Sequence, residues 1–351
     1  MKKKISILLV LTMIFTLSTG LAGAEYSTDE YPTATKTEKT VNGFKFQLTE
    51  AVSPRKGMVR VFEAEPDQAR SREETEALLL ALGMEQIFID RLTDETMNYY
   101  ANSAQIVSTE TYSKHNSEGN VTSITKEQAE AELKKIKKQQ ENQELYSTKS
   151  DPPYDSTKVD GYLRLHYLVA EIEGGYGDYL YSVSSRWLQM PSWRGEDSLA
   201  ACAADIGVET STCSGYYGYH REEKQGTLVR EDDVNQTYTS EDFFSAQTGN
   251  WYGKGISFEL PTDGSRGGYS LTNTDFFAHC EFIAAVRNPQ WDTNFNAVGT
   301  YTHTSKKVSL EPEFSISIPA RGEPSISASV GVVIEDNDEC SSIEFLIEYR
   351  A

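Results

Sequence analysis

The chain has 351 residues, of which 53 are acidic and 33 basic, so its net charge is −20 at neutral pH. This acidic balance argues against nucleic acids and anionic lipid headgroups as general partners, because the long-range field of the protein repels them. The length fits one large domain or two ordinary ones.

Residues 1–24 have the features of a secretory signal peptide. Lysines at positions 2–4 precede an apolar run at 5–17, and Ala22-Gly23-Ala24 fits the small-x-small cleavage rule. The apolar run is short for a membrane span. We therefore predict cleavage after Ala24 and a secreted, bacterial protein with no transmembrane segment in the mature chain. Loss of the three lysines takes the net charge from −20 to −23.

Residues 25–146 predict a small N-terminal region in which α and β elements are mixed. Capping-box spacing marks helix starts at Ser71-Arg72-Glu73-Glu74 and Thr125-Lys126-Glu127-Gln128, and Gly83 suits the end of the first helix. The predicted elements are a polar tail ending in one short strand (25–53), a strand (57–63), three short helices (71–83, 87–92 and 93–100), a strand (105–112) and a long polar helix (125–146).

Residues 147–160 predict a linker, since Asp151-Pro152-Pro153 favours an extended or turn conformation. We place the domain boundary there. Beyond it, residues 161–351 alternate apolar and polar positions and predict an antiparallel β-sandwich of about nine or ten strands. The fold class is thus mainly β, and α+β overall. The candidate strands are 163–169, 179–187, 198–204, 215–220, 255–260, 277–286, 295–303, 314–318, 326–334 and 343–349.

All four cysteines, Cys202, Cys213, Cys280 and Cys340, lie in the predicted sandwich. In an exported protein an even count predicts disulfides, and four cysteines allow three connectivities. We favour Cys202–Cys213 with Cys280–Cys340. Buried thiols are the alternative. A zinc site is disfavoured, because no C-x-x-C occurs and His279 and Cys280, as neighbours on a strand, point to opposite faces.

Established catalytic and nucleotide-binding motifs do not occur in the sequence. A thiol nucleophile at Cys202 or Cys213 with His220 as base is one alternative, but disulfides explain the same cysteines without a site. The acidic run Asp336-Asn337-Asp338-Glu339 lacks EF-hand spacing and predicts a hairpin turn. We expect no cofactor and no metal, and the catalytic residues of any enzymatic activity stay unknown.

Tryptophans next to turn-forming residues are the strongest sign of a binding function. Trp193, Trp251 and Trp291 lie beside Pro, Gly or Asp in predicted loops, where aromatic rings stack on sugars or anchor interfaces. The sequence therefore favours a secreted, non-catalytic binding or surface-interaction protein, with cell-wall or other polysaccharide or a surface protein as partner. The alternatives are a membrane-acting β-pore-forming protein, suggested by the alternation in 308–334, and an extracellular hydrolase without a recognisable motif.

Overall fold

Antiparallel β-structure makes up most of the protein, as the alternating apolar positions predict. The structure is a computed structural model. It describes residues 34–53, 57–64, 69–116, 121–146, 160–172, 178–191, 194–204, 206–248, 251–266, 268–286, 294–303, 312–317, 325–330 and 341–350.

The described elements are strands and four α-helices, with one 3-10 turn at Ser240–Asp242. The strands are β1 (Thr35–Val41), β2 (Phe44–Ser53), β3 (Gly57–Glu63), β4 (Gln105–His115), β5 (Val121–Ile124), β6 (Gly161–Glu171), β7 (Asp178–Gln189), β8 (Glu196–Ala204), β9 (Ile206–Gln225), β10 (Leu228–Tyr238), β11 (Phe244–Thr248), β12 (Trp251–Glu259), β13 (Gly264–Arg266), β14 (Tyr269–Val286), β15 (Asn294–His303), β16 (Pro312–Ser317), β17 (Ser325–Val330) and β18 (Ser341–Arg350). The helices are α1 (Arg72–Ala81), α2 (Gln86–Ile89), α3 (Asp94–Asn102) and α4 (Lys126–Tyr146).

Two sheets carry most of the strands. The larger follows the order β1-β2-β3-β4-β6-β7-β14-β9-β10, with β5 beside β4 and β13 beside β14. The smaller has the order β11-β12-β8-β15-β18, and β16 pairs with β17 in a separate two-stranded sheet. The larger sheet is continuous across the predicted linker, because β4 and β6 pair from Ile106↔Ala170 to His115↔Gly161. Of that linker, residues 147–159 lie outside the described ones.

An apolar core fills the space between the two main sheets, as in a β-sandwich. The larger sheet contributes Tyr167, Tyr181 and Phe282, and the smaller contributes Leu199 and Tyr301, all of them fully buried. Tyr181 and Phe282 stack with ring centroids 5.4 Å apart. The mainly β, sandwich-like fold predicted from the sequence is therefore confirmed.

A third layer, made of α1, α2 and α3, covers the other face of the larger sheet. Leu78, Leu79 and Leu82 are fully buried there and share a core with Phe46 and Leu168 of the sheet. α1 and α3 begin where their capping residues predict, and Gly83 follows the end of α1, whereas α2 is shorter than predicted and has no side-chain cap. Side-chain oxygens of N-cap residues accept from the backbone, as Ser71 does from Glu74 and Thr93 does from Thr96.

Four strands of the larger sheet were not predicted: the short strands β5 and β13, and the longer strands β1 and β10. Residues 35–41 form β1, paired with β2 through a turn at Asn42 and Gly43, both with positive φ, so the N-terminal segment holds two strands instead of a tail ending in one. Residues 228–238 form β10 on the outer side of β9. Both segments are rich in charged and polar residues and have no alternating apolar pattern, so a search by hydrophobic period misses them.

Candidate functional site

A row of charged side chains, buried at its centre and exposed at its ends, crosses the larger sheet beneath the helical layer. Eight side chains of alternating charge connect β1, β2, β3, β4, β6, β7 and β14. We call this set the charge ladder, and its members in order are Lys39, Glu50, Arg60, Glu110, Arg164, Glu85, Arg186 and Asp275. Glu85 comes from the start of α2 and connects the two neighbouring arginines.

Glu110 is the central acid of the charge ladder. Its carboxylate accepts from Arg60 Nη1 at 2.9 Å, Arg164 Nε at 2.8 Å and Tyr112 OH at 2.5 Å. Burial raises the pKa of Glu110, but the charges of Arg164 and Arg60 outweigh it and hold that pKa well below its ordinary value. Both oxygens of this carboxylate are therefore engaged in holding the sheet, and the group is not available as an acid or base.

The charge ladder also fixes the helical layer. Arg60 Nη1 donates to the carbonyl of Leu82 at 3.2 Å, Ser108 Oγ donates to the same oxygen at 2.8 Å, and Arg164 donates to the carbonyl of Gly83. These are carbonyls at the C-terminal end of α1, which have no partner inside the helix. The ladder therefore acts as the cap of α1 and has a structural role.

A serine, a histidine and a glutamate meet one step further along the same sheet face. Ser184 Oγ lies 2.9 Å from His279 Nδ1, His279 Nε2 lies 3.3 Å from Glu281 Oε2, and Thr96 Oγ1 donates to Glu281 Oε1 at 2.7 Å. The residue types are those of a hydrolytic triad. Tyr216 stacks on the imidazole at 5.0 Å, and His279 is only 1% exposed.

This enclosure decides what the Ser184–His279–Glu281 arrangement can do. Nucleophilic catalysis needs a hydroxyl that a substrate can reach and a base that can accept its proton. Here both ring nitrogens of His279 already face polar partners, and α3 covers the glutamate through Thr96. We interpret the arrangement as an internal hydrogen-bond network that ties α3 to the sheet.

A second histidine network lies between the two sheets. His303 Nδ1 is 2.8 Å from Asp197 Oδ1, Tyr301 OH donates to the other carboxylate oxygen, and Trp187 Nε1 donates to Tyr301 OH at 2.8 Å. The His115 ring stands 5.9 Å from that of His303. Burial, with the neighbouring His303, lowers the pKa of His115 to about 3, so its imidazole is neutral near pH 7.

Within the described part of the chain, no group of three or more His, Cys, Asp or Glu side chains is placed to hold a metal ion. His220, the base of the alternative thiol-nucleophile hypothesis, lies on the surface with Nδ1 3.0 Å from Asp233 Oδ1. That hydrogen bond raises the pKa of His220.

The predicted disulfide Cys202–Cys213 is wrong. Cys202, Cys213 and Cys280 are buried thiols, and Cys280 Sγ lies 3.6 Å from the carbonyl of Leu199. Cys202 belongs to β8 in the smaller sheet and Cys213 to β9 in the larger, so proximity in sequence does not make them neighbours on one strand pair. Burial raises the pKa of the Cys213 and Cys280 thiols. Cys340 lies outside the described residues, and the second predicted pair with it.

The three predicted ligand-binding tryptophans are not seen as a group. Trp193 and Trp291 lie outside the described residues. Trp251 is the first residue of β12, where its backbone pairs with Thr248 on one side and Ala204 on the other. As the sequence predicts, His279 and Cys280 point to opposite faces of β14: Cys280 joins the core between the sheets, and His279 faces the helical layer.

Exposed apolar side chains are concentrated at one end of the larger sheet. Four large apolar side chains are exposed among the described residues: Leu228 at 69%, Val52 at 58%, Val229 at 49% and Tyr269 at 43%. All but Val52 belong to the end where β9 turns into β10 and β13 turns into β14. We call residues 220–238 with 264–274 the arm, and Leu228, Val229 and Tyr269 the arm tip.

Two adjacent turns build the arm tip. Gly226 and Gly268 have φ of +60° and +85°, the left-handed conformation that tight turns require. A Cβ added at Gly226 would meet nothing within 4 Å, so this turn stands free in solvent. Because Val229 and Ser270 both pair with Lys224, they share one face of the arm, and Leu228 and Tyr269 share the other.

Comparison with known proteins does not assign the chain to a family. No family model matches the sequence, and no curated protein matches it. Of the helices that the structure describes, none combines the length and the apolar character needed to cross a bilayer.

The arm tip was not predicted from the sequence because Leu228 and Val229 stand next to Arg230-Glu231-Asp232-Asp233, a run of charged residues typical of a solvent-exposed loop. The signal that was available is Gln225-Gly226-Thr227, a turn between two segments with β-forming residues.

Proposed function

We propose that the protein is a secreted, non-catalytic surface-interaction protein that uses the arm tip as its contact surface. One observation carries the proposal: three of the four exposed large apolar side chains in the described part of the chain lie together at this tip. Apolar side chains concentrated in this way on an otherwise polar surface mark interaction sites. Scattered exposed residues, such as Val52, need no such explanation.

The enclosure of the polar networks supports the non-catalytic part of the proposal. Ser184, His279 and His303 are each 1% exposed, and Asp197 is also 1% exposed. Within the core, Ser184 is hydrogen-bonded to His279, and His303 is hydrogen-bonded to Asp197. An enzyme needs such groups at the wall of a cleft, where substrate reaches them.

Polysaccharide or protein binding through Trp193, Trp251 and Trp291 is a second proposed contact. It rests on the position of Trp251 at the first residue of β12, beside the end of β8. Aromatic residues supply large contact areas at binding surfaces. A pull-down with insoluble cell-wall polysaccharide tests it: Trp251→Ala should lower retention, whereas the arm-tip variant described next should not.

The experiment for the main proposal is adherence of the purified protein to intact cells. The variant combines Leu228→Gln, Val229→Thr and Tyr269→Gln, and the matched control is Val52→Thr, which alters an exposed valine away from the arm. We expect the triple variant to lose adherence and the control to keep it. Equal adherence of both variants and the parent protein would exclude the arm tip as the contact surface.

The pore-forming alternative has one supporting observation. Strands β16 and β17 form their own antiparallel hairpin-like pair, from Pro312↔Val330 to Ser317↔Ser325, within the stretch that suggested this function. Each strand has 6 residues, whereas a membrane-spanning strand needs about 9–11. Release of a dye from vesicles would be the positive result for a pore.

A further inference from the structure

We infer that the partner of the arm tip is the surface of a lipid bilayer with zwitterionic headgroups. This inference rests on the proposed function, since it assumes that the arm tip is a contact surface, and it names what the tip contacts. We infer a bilayer as the partner from the shape of the tip, from its two apolar faces and from the charges close to it.

The shape of the arm tip excludes an enclosed small ligand. Its side chains lie on two tight turns that project from the end of the sheet. A Cβ added at Gly226 would meet nothing within 4 Å, and one added at Gly268 would meet only Gln225 Nε2 at 3.7 Å. Small-molecule sites are concave and surround most of the ligand. A convex apolar tip can instead insert into the interfacial region of a lipid bilayer, which deforms to surround it.

Apolar groups on both faces of the arm tip favour a bilayer over a protein surface. Leu228 and Val229 are consecutive residues of one strand, so they point to opposite faces. Tyr269 lies on the same face as Leu228. A protein partner that covers one face of the arm would leave the other face exposed. A bilayer accepts all three side chains at once, and Tyr suits its polar–apolar boundary.

Charges of both signs lie just behind the apolar side chains. Lys224 pairs with Val229, the pair Arg230↔Glu223 comes one residue further back, and Glu231↔Glu222 follows. At about 3.4 Å per residue, these charges begin within about 7 Å of the arm tip. The headgroup layer on each side of a bilayer is about 5–8 Å deep. The charged rows therefore lie at headgroup depth when the tip reaches the acyl boundary.

The net charge selects among lipids. The whole chain carries −20, so an anionic bilayer repels it, whereas a phosphocholine surface offers both charges to Lys224, Arg230, Glu223 and Glu231. The same charged rows limit the depth of insertion, because moving them into hydrocarbon is strongly unfavourable. The arm therefore docks on the bilayer and does not span it.

The test is flotation of the purified mature protein, without the predicted signal peptide, with phosphatidylcholine vesicles, repeated with vesicles rich in phosphatidylglycerol. We expect binding to phosphatidylcholine, weaker binding to the anionic vesicles and no release of trapped dye. The arm-tip triple variant should lower the partition coefficient by at least about tenfold, since interfacial binding scales with the apolar area that is buried. Val52→Thr should leave the coefficient unchanged.

Several outcomes overturn the inference. No binding of the parent protein to phosphatidylcholine, equal binding of the triple variant, or preference for anionic vesicles each contradicts it, and dye release contradicts docking without insertion. Unchanged circular dichroism and thermal midpoint show that the triple variant is folded. If adherence to cells depends on the arm tip while vesicle binding is absent, the proposed function stands and the bilayer partner fails. If both are absent, both fail.

Discussion

Arg164 on β6 donates from Nε to Oε1 of Glu110 on β4 at 2.8 Å, across two paired strands. Only 8% of the arginine side chain and 3% of the glutamate side chain are exposed. Two charges removed from water in this way stabilise the fold only while both are present. Removing one leaves the other buried with a single remaining partner, Glu85 for Arg164 or Arg60 for Glu110, at a cost of about 3 kcal/mol.

Glu110→Gln should therefore be among the most destabilising single changes in the protein. The substitution keeps the shape of the side chain but leaves Arg60 and Arg164 without their shared counter-charge. We expect the free energy of unfolding in urea at pH 7 to fall by about 3 kcal/mol or more. Glu38→Gln, which breaks the exposed pair with Lys45, should change it by less than about 1 kcal/mol. Similar losses for the two variants would contradict a central role of Glu110.

Stability should fall with acidification through the buried histidines. The pKa of His115 is lowered by burial to about 3 in the folded protein, against an ordinary value of 6.5. Between these values only the unfolded chain takes up the proton, so the folded state is fully favoured above pH 6.5 and loses this contribution as the pH falls toward 3. Free energies of unfolding from pH 7 to pH 4 should fall less steeply in His115→Gln than in the parent protein.

His220→Gln provides the opposite case. Its hydrogen bond to Asp233 raises the pKa of His220, so its contribution is present at low pH and is lost as the pH rises. Removing it should not flatten the acid limb of the stability profile. A flattening by His220→Gln but not by His115→Gln would contradict the assignment of the buried group.

Gly83→Ala should destabilise the protein more than Gly43→Ala. Both glycines have positive φ, +99° and +88°, so both substitutions strain the backbone by about 1–2 kcal/mol. At Gly43 a new Cβ meets nothing within 4 Å, whereas at Gly83 it would lie 2.6 Å from Arg60 Nη1. The difference between the thermal unfolding midpoints of the two variants reports the cost of displacing Arg60. Equal midpoints would show that the charge ladder adjusts freely.

Thiol chemistry tests the correction of the disulfide prediction. We expect Cys202, Cys213 and Cys280 to resist a thiol reagent in the native protein and to react after unfolding, because all three are buried and burial raises the pKa of Cys213 and Cys280. The measurement uses a Cys340→Ser variant, so that only these three thiols are counted. Titration of fewer than three thiols after unfolding without reductant would reinstate a disulfide.

Local patterns predicted the local structure well. Ser71, Thr93 and Gly83 mark the limits of helices that form as expected, because capping depends on residues three or four positions apart. The β6–β7 hairpin was also predicted, since apolar residues alternate on both strands. These features need only short-range information.

Long-range pairing explains what the sequence did not reveal. Nothing in residues 57–63 and 105–112 indicates that β3 and β4 continue the sheet of β6 and β7. The apolar–polar pattern of a strand shows which face is buried but does not identify the strand that lies beside it. The arm tip depends on β10, whose charged side chains hide the strand. Cys202 and Cys213 are close in sequence but lie on different sheets, so spacing alone predicted the wrong pair.

The charge ladder also makes the chain hard to divide. A fragment beginning at Gly161 would retain Arg164 and Arg186 and lose Glu110 and Glu85, the acids that neutralise them. The complementary fragment would keep Glu85 without either of its arginines and Glu110 with Arg60 alone. Neither piece can be exchanged onto another protein without carrying unmatched charge on its sheet face, so the two parts have to be inherited, expressed and turned over as one unit.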